Sequence, residues 1–102
     1  MPSFVRIASK SDLPPSGEAR EFTVGEKTIC VANCNGELSA MDNACVHRGG
    51  PLGQGVVEDG KVICPWHGWQ YDPKTGQAAH SSAAKVAVHA IKVEGDDVLV
   101  EL

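Results

Sequence analysis

The sequence predicts an all-β protein. Short apolar or alternating runs recur along the chain, turn signals separate one from the next, and neither an internal repeat nor a low-complexity segment interrupts them. Several short strands at such spacing make a sandwich or a small barrel. At 102 residues the chain is one domain with a modest core.

The first run, residues 4–7, reads as a strand. A short helix or turn is expected near Ser11 and Asp12, because Ser and Asp cap helices and Pro14 suits a first turn. Pro14-Pro15-Ser16-Gly17 then breaks the chain before strands at residues 21–24 and 27–32. Asn35-Gly36 is a hairpin signal, and the strand it returns is residues 37–41. Asp59-Gly60 precedes a strand at residues 61–64. Pro73-Lys74-Thr75-Gly76 marks the next turn, and residues 86–93 the next strand. Gly95-Asp96-Asp97 leads into the last strand, residues 98–102.

Between these strands lies a distinctive insertion. Cys45-Val46-His47 is followed, after sixteen residues, by Cys64-Pro65-Trp66-His67. In extended chain, residues two apart point the same way, so Cys45 and His47 can face one centre. Pro65 favours a turn that brings His67 back beside Cys64. Gly49-Gly50 follows the first pair and Gly68 the second. Glycine permits close backbone approach, with N–H groups aimed at sulfur. Two thiolates on one iron and two imidazoles on the other are the ligand set of a Rieske [2Fe–2S] centre. With neutral imidazoles the oxidised centre carries no formal net charge, so an electron enters more easily than at a four-thiolate centre. The potential then lies at roughly −150 to +300 mV. A Cys₂His₂ zinc site is the alternative, although zinc sites more often put two to four residues between paired cysteines.

The stretch Cys45-Val46-His47-Arg48-Gly49-Gly50-Pro51-Leu52, with Cys64-Pro65-Trp66-His67-Gly68-Trp69, closely resembles the Rieske family. Within it, the chain resembles the small soluble Rieske ferredoxins that feed bacterial ring-hydroxylating oxygenases. The resemblance runs from Phe4-Val5-Arg6 to Val98-Leu99-Val100. It implies the Rieske fold: an antiparallel β base domain of residues 1–42 and 73–102, with a cluster-binding subdomain, residues 43–72, inserted in it. Cys45 and Cys64 would ligate the inner iron, and His47 and His67 the outer, reducible one near the protein tip. The implied role is a one-electron carrier from an NAD(P)H-dependent reductase to a terminal oxygenase, not an enzyme in itself, and a monomer is expected. The resemblance extends to the small Rieske-type subunit of assimilatory NADH-dependent nitrite reductases. In a different class, a zinc-stabilised interaction module remains as the non-redox alternative.

Respiratory and photosynthetic Rieske subunits carry an extra cysteine in each loop, joined as a disulfide. Gly50 and Trp66 stand at those positions here. High-potential members place serine and tyrosine after the second histidine, where this chain has Trp69 and Tyr71. The expected potential is therefore in the lower part of the family range. Charge on the iron lowers the pKa of the free ring nitrogens, so the potential should fall as pH rises through those values. The family's proline-containing cover loop corresponds to residues 78–84, which hold no proline.

Other residues carry less. Cys30 and Cys34 fall on a predicted strand about 13 Å apart, too far to share a metal, and read as buried thiols. His89 reads as a sheet residue, and His80 lies in the presumed cover loop. Trp69 reads as packing for the second loop. Trp66 suits packing or partner docking equally, and Arg48 either a partner contact or a carboxylate pair.

Nine basic against thirteen acidic residues argue against nucleic acid and suit either solubility or docking on basic partner surfaces. No apolar run reaches the roughly eighteen residues of a membrane span, and the N-terminus shows no signal core. The expected location is the cytoplasm. A complete oxygenase would also need a mononuclear iron held by a 2-His-1-carboxylate triad in its own domain, for which this chain has no room.

Overall fold

A strand buried on both faces must be apolar at odd and even positions alike. Within Lys27–Cys34 the stretch Ile29-Cys30-Val31-Ala32 meets that condition, and in the computed structural model these four residues are buried. The structure describes residues 3–44, 50–66, 68–79 and 84–101. Cys45, His47, Arg48, His67 and His80 lie outside the described residues.

The described strands are β1 (Phe4–Ser9), β2 (Ala19–Val24), β3 (Lys27–Cys34), β4 (Glu37–Asp42), β5 (Val56–Glu58), β6 (Lys61–Ile63), β7 (Gln70–Tyr71), β8 (Val88–His89), β9 (Ile91–Glu94) and β10 (Asp97–Glu101). They form three antiparallel sheets, ordered β2-β3-β4-β8, β1-β10-β9 and β5-β6-β7. The chain is thus all-β, as its patterning requires.

Alternation along β3 sorts the core into two clusters. Ile29 and Val31 join Ala40 and Val100 on one face, against Ile7, Phe22, Leu38 and Ile91. Cys30 and Ala32 face the other way, into a cluster with Met41, Leu52, Val62, Cys64 and Tyr71. Each fully buried Ile, Leu or Val contributes roughly 1.5–3 kcal/mol of transfer free energy. This second cluster ties the central sheet to β5-β6-β7 and to the motif loops.

Hairpin turns fall where the sequence places them. Asn35 and Gly36 both take positive φ (56° and 91°), and so do Asp59 and Gly60 (50° and 74°). Those angles are the left-handed pair that a two-residue hairpin needs.

Several details differ from expectation. The short helix is a 3-10 turn over Lys10–Asp12 rather than one starting at Ser11. Asp12 closes it by accepting the Ser9 N–H at 3.1 Å, and Pro14 follows the turn instead of opening it. Strands β5 and β7 went unread because three and two residues carry too little periodicity. The single predicted strand 86–93 is two. β8 pairs with β4 and β9 pairs with β10, the chain passing between sheets at Ala90. Apolar alternation reports which residues are buried and not which strand they pair with. Among the described residues, no helix is long and apolar enough to cross a membrane.

Candidate metal centre

Both motif loops are closed at their stems by backbone pairing. Ala44 bridges Pro51 in antiparallel fashion, and the Leu52 N–H donates to the Asn43 carbonyl at 2.7 Å. The first Cys-His pair therefore sits in a segment whose two ends are held together. In the second loop the Cys64 N–H donates to the Trp69 carbonyl at 2.7 Å, with Gly68 at φ 70° between them. The chain reverses within Cys64-Pro65-Trp66-His67-Gly68-Trp69, as Pro65 and Gly68 suggest.

Of the four candidate ligands, Cys64 is described. It is 1% exposed, in the cluster with Cys30, Leu52, Val62 and Tyr71. Its sulfur accepts the Trp66 N–H at 3.4 Å. That contact suits a thiolate, because an N–H aimed at sulfur favours the charged form.

The two loops meet at Gly50. A Cβ there would lie 2.7 Å from Cys64 Sγ and 3.1 Å from the Trp66 indole. Gly50 and Trp66 are thus in contact, with an indole lying on bare backbone. Trp66 is 49% exposed, so the same ring that packs on Gly50 also presents an apolar face to solvent. Trp69 is partly buried against the core, which fits its structural reading.

Gly50→Ala is expected to push Cys64 or Trp66 aside. Cluster retention should fall by about tenfold, the order seen when groups that orient metal ligands are disturbed. Iron bound per folded chain checks this, and wild-type loading would refute it.

A third segment closes beside these loops. Gln77 bridges Lys85, the Ala78 N–H donates to the Ala84 carbonyl at 3.0 Å, and the Ala79 N–H donates to the Gln70 carbonyl at 2.8 Å. Ala78 and Val86 pack in the cluster that holds Cys64 and Tyr71. The ends of the presumed cover loop are thereby placed next to the second motif loop, without a proline.

The remaining candidates lie elsewhere. Cys30 and Cys34 share β3, opposite Glu21 and Met41 in the one case and Glu37 in the other. Cys30 is buried, and its thiol is pushed up to about 12 by burial and, secondarily, by the Glu21 carboxylate. Cys34 is raised as well, chiefly by burial and by Glu37. His89 sits on β8 with Nε2 2.8 Å from Asp42 Oδ1, within the sheet. Among the described residues, no group of three or more His, Cys, Asp or Glu side chains gathers as a metal site.

Sequence reading missed what holds the first loop to the central sheet. Asn43 Nδ2 donates to Glu21 Oε2 at 2.6 Å, Gln54 Nε2 to Glu21 Oε1 at 3.0 Å, and the Gly53 N–H to Asn43 Oδ1 at 2.7 Å. An Asn just before the first cysteine was the available signal, but its partner on β2 is set by strand register, which local sequence does not disclose.

The fold and site define an all-β protein in which two stem-paired loops meet beside a buried cysteine whose sulfur accepts a backbone N–H. The chain belongs to the Rieske [2Fe–2S] domain family, whose model matches residues 3–98. It is 37% identical over 101 residues to the ferredoxin component of biphenyl 2,3-dioxygenase from Rhodococcus jostii (strain RHA1), covering 98% of this chain and 94% of that one. It superposes with a TM-score of 0.83 on the ferredoxin of carbazole 1,9a-dioxygenase from Nocardioides aromaticivorans IC177, at 28% identity and 96% coverage of both chains. A structure described as the complex of reduced oxygenase and oxidized ferredoxin in carbazole 1,9a-dioxygenase matches with a TM-score of 0.80 and 25% identity, over 96% of this chain and 92% of that one.

Proposed function

We propose that this chain is a Rieske ferredoxin, a one-electron carrier from an NAD(P)H-dependent reductase to a terminal oxygenase, with Cys45, His47, Cys64 and His67 as the cluster ligands. The close approach of Gly50 to Cys64, where the described parts of the two motif loops meet, carries this reading. The likeness to oxygenase ferredoxin components over nearly the whole chain supports the choice of partners.

The described ligand, Cys64, fits the group. Cys64 supplies a buried sulfur with an N–H already aimed at it, and Gly50 leaves the space beside it free of side chain. A [2Fe–2S] centre, when bound, supplies reversible one-electron chemistry. The protein's part is to hold and shield that centre. Leu52, Val62 and Tyr71, all fully buried, exclude water behind Cys64, which limits how far the surroundings reorganise around a changed charge. Trp66, half exposed at the same end, offers a partner an apolar contact beside the second loop.

The β5-β6-β7 sheet and both motif loops fall within residues 43–72, which supports a cluster-binding subdomain there and a base of residues 1–42 and 73–102. The working form is a monomer in the cytoplasm, and oxidation of the organic substrate belongs to the oxygenase.

Electron paramagnetic resonance of the dithionite-reduced protein tests the centre, with iron, sulfide and zinc counted on the same sample. A rhombic signal of low average g, with iron and sulfide in equal amounts, is the expected result. Zinc without iron would overturn the carrier and leave an interaction module.

A further inference from the structure

We propose that Glu21 is a positioning residue for the cluster site: a single β2 carboxylate clamps both ends of the segment that carries Cys45 and His47, and acts on the centre by its charge. The inference rests on the ligand assignment above.

The geometry is that of a clamp. One carboxylate oxygen takes Asn43, two residues before the first cysteine, and the other takes Gln54, beyond the loop's exit. The Asn43 amide cannot be turned around, because its oxygen already accepts the Gly53 N–H. Gly53 itself is pressed against β2. A Cβ there would stand 2.8 Å from the Glu21 backbone nitrogen and 2.9 Å from Asn43 Oδ1. Backbone contact therefore fixes the distance between loop and strand, and the carboxylate fixes the register. Bonds to a charged acceptor are the stronger kind.

The charge also faces inward. Glu21 is the cross-strand partner of Cys30, and Cys30 packs in the cluster that contains Cys64. The carboxylate is already felt at that thiol, whose proton it helps retain. A negative charge on this side of the core opposes the gain of an electron at the centre, so removing it must raise the potential.

Two variants of the cluster-loaded protein separate clamp from charge. Glu21→Gln keeps the shape. Its oxygen can accept from Asn43, and its amide can donate to Gln54 once that side chain turns over. Glu21→Ala removes both bonds. The expected result is a raised midpoint potential in both variants. Cluster release into chelator should stay near the wild-type rate in Glu21→Gln and rise about tenfold in Glu21→Ala, with faster amide exchange at Leu52 and Gly53. A merely structural glutamate would leave the Glu21→Gln potential unmoved, and that outcome overturns the proposal. So does wild-type release and exchange in Glu21→Ala. Should Glu21→Ala fail to fold, Glu21→Gln still decides. A wild-type protein holding no iron would sink the ligand assignment instead, while exchange at Leu52 and Gly53 still judges the clamp.

Discussion

Cys64→Ser is expected to fold and to lose its iron and labile sulfide to background, with the reduced-state resonance signal. Serine keeps the size of the side chain and can still accept the Trp66 N–H that now reaches the sulfur at 3.4 Å. What it cannot supply is a thiolate, the form of cysteine that ligates metal; a hydroxyl stays protonated at neutral pH. The site is 1% exposed, so burying the new hydroxyl costs about 1–3 kcal/mol. That loss is smaller than the typical stability of a domain of this size, about 5–15 kcal/mol. Cys34→Ser is the control. Cys34 ends β3 opposite Glu37, beside the Asn35-Gly36 turn, and its replacement should leave iron content unchanged. Equal iron in wild type and Cys64→Ser would remove Cys64 from the ligand set. Loss of zinc rather than iron would move the protein into the non-redox class.

The fold was legible where burial follows sequence spacing. Ile29-Cys30-Val31-Ala32 is apolar at both parities and becomes the doubly buried centre of β3. Asn35-Gly36 and Asp59-Gly60 turn because of their own backbone preferences, which need no distant partner. The two Cys-His pairs were legible for a different reason, since metal ligation demands fixed residue types at short spacing. Less legible was everything settled by pairing across the chain. Ala90 divides one apolar run between two sheets because β4 and β10 each claim a part of it. The packing of Trp66 on Gly50 joins residues sixteen apart, and Glu21 holds Asn43 from twenty-two residues away. Neither contact leaves a periodic trace. Gly50 was legible as a place of close backbone approach and Trp66 as a packing or docking residue, but that the two pack on each other was not.

Alkaline pH should destabilise the wild-type protein more than Cys30→Ala. The Cys30 thiol, ordinarily near 9.0, is pushed up to about 12, first by burial and then by the Glu21 carboxylate. The folded state therefore holds this proton more tightly than the unfolded chain does. Its contribution to stability is complete below the unfolded value near 9 and is lost as pH climbs toward 12. Three units correspond to roughly 4 kcal/mol at the far end of that window, and about 2 kcal/mol should be gone by pH 10.5. Cys30→Ala begins lower at pH 7, since truncating a fully buried side chain in the core leaves a cavity. Its stability should nevertheless fall less between pH 8 and 10.5, because no thiol at that position titrates. Urea unfolding of both proteins across this range measures the difference in slope. Parallel curves would show that the Cys30 proton is shed in the folded state as readily as in the unfolded one. They would thereby contradict the burial that puts this side chain behind Cys64, in the cluster on which the motif loops rest.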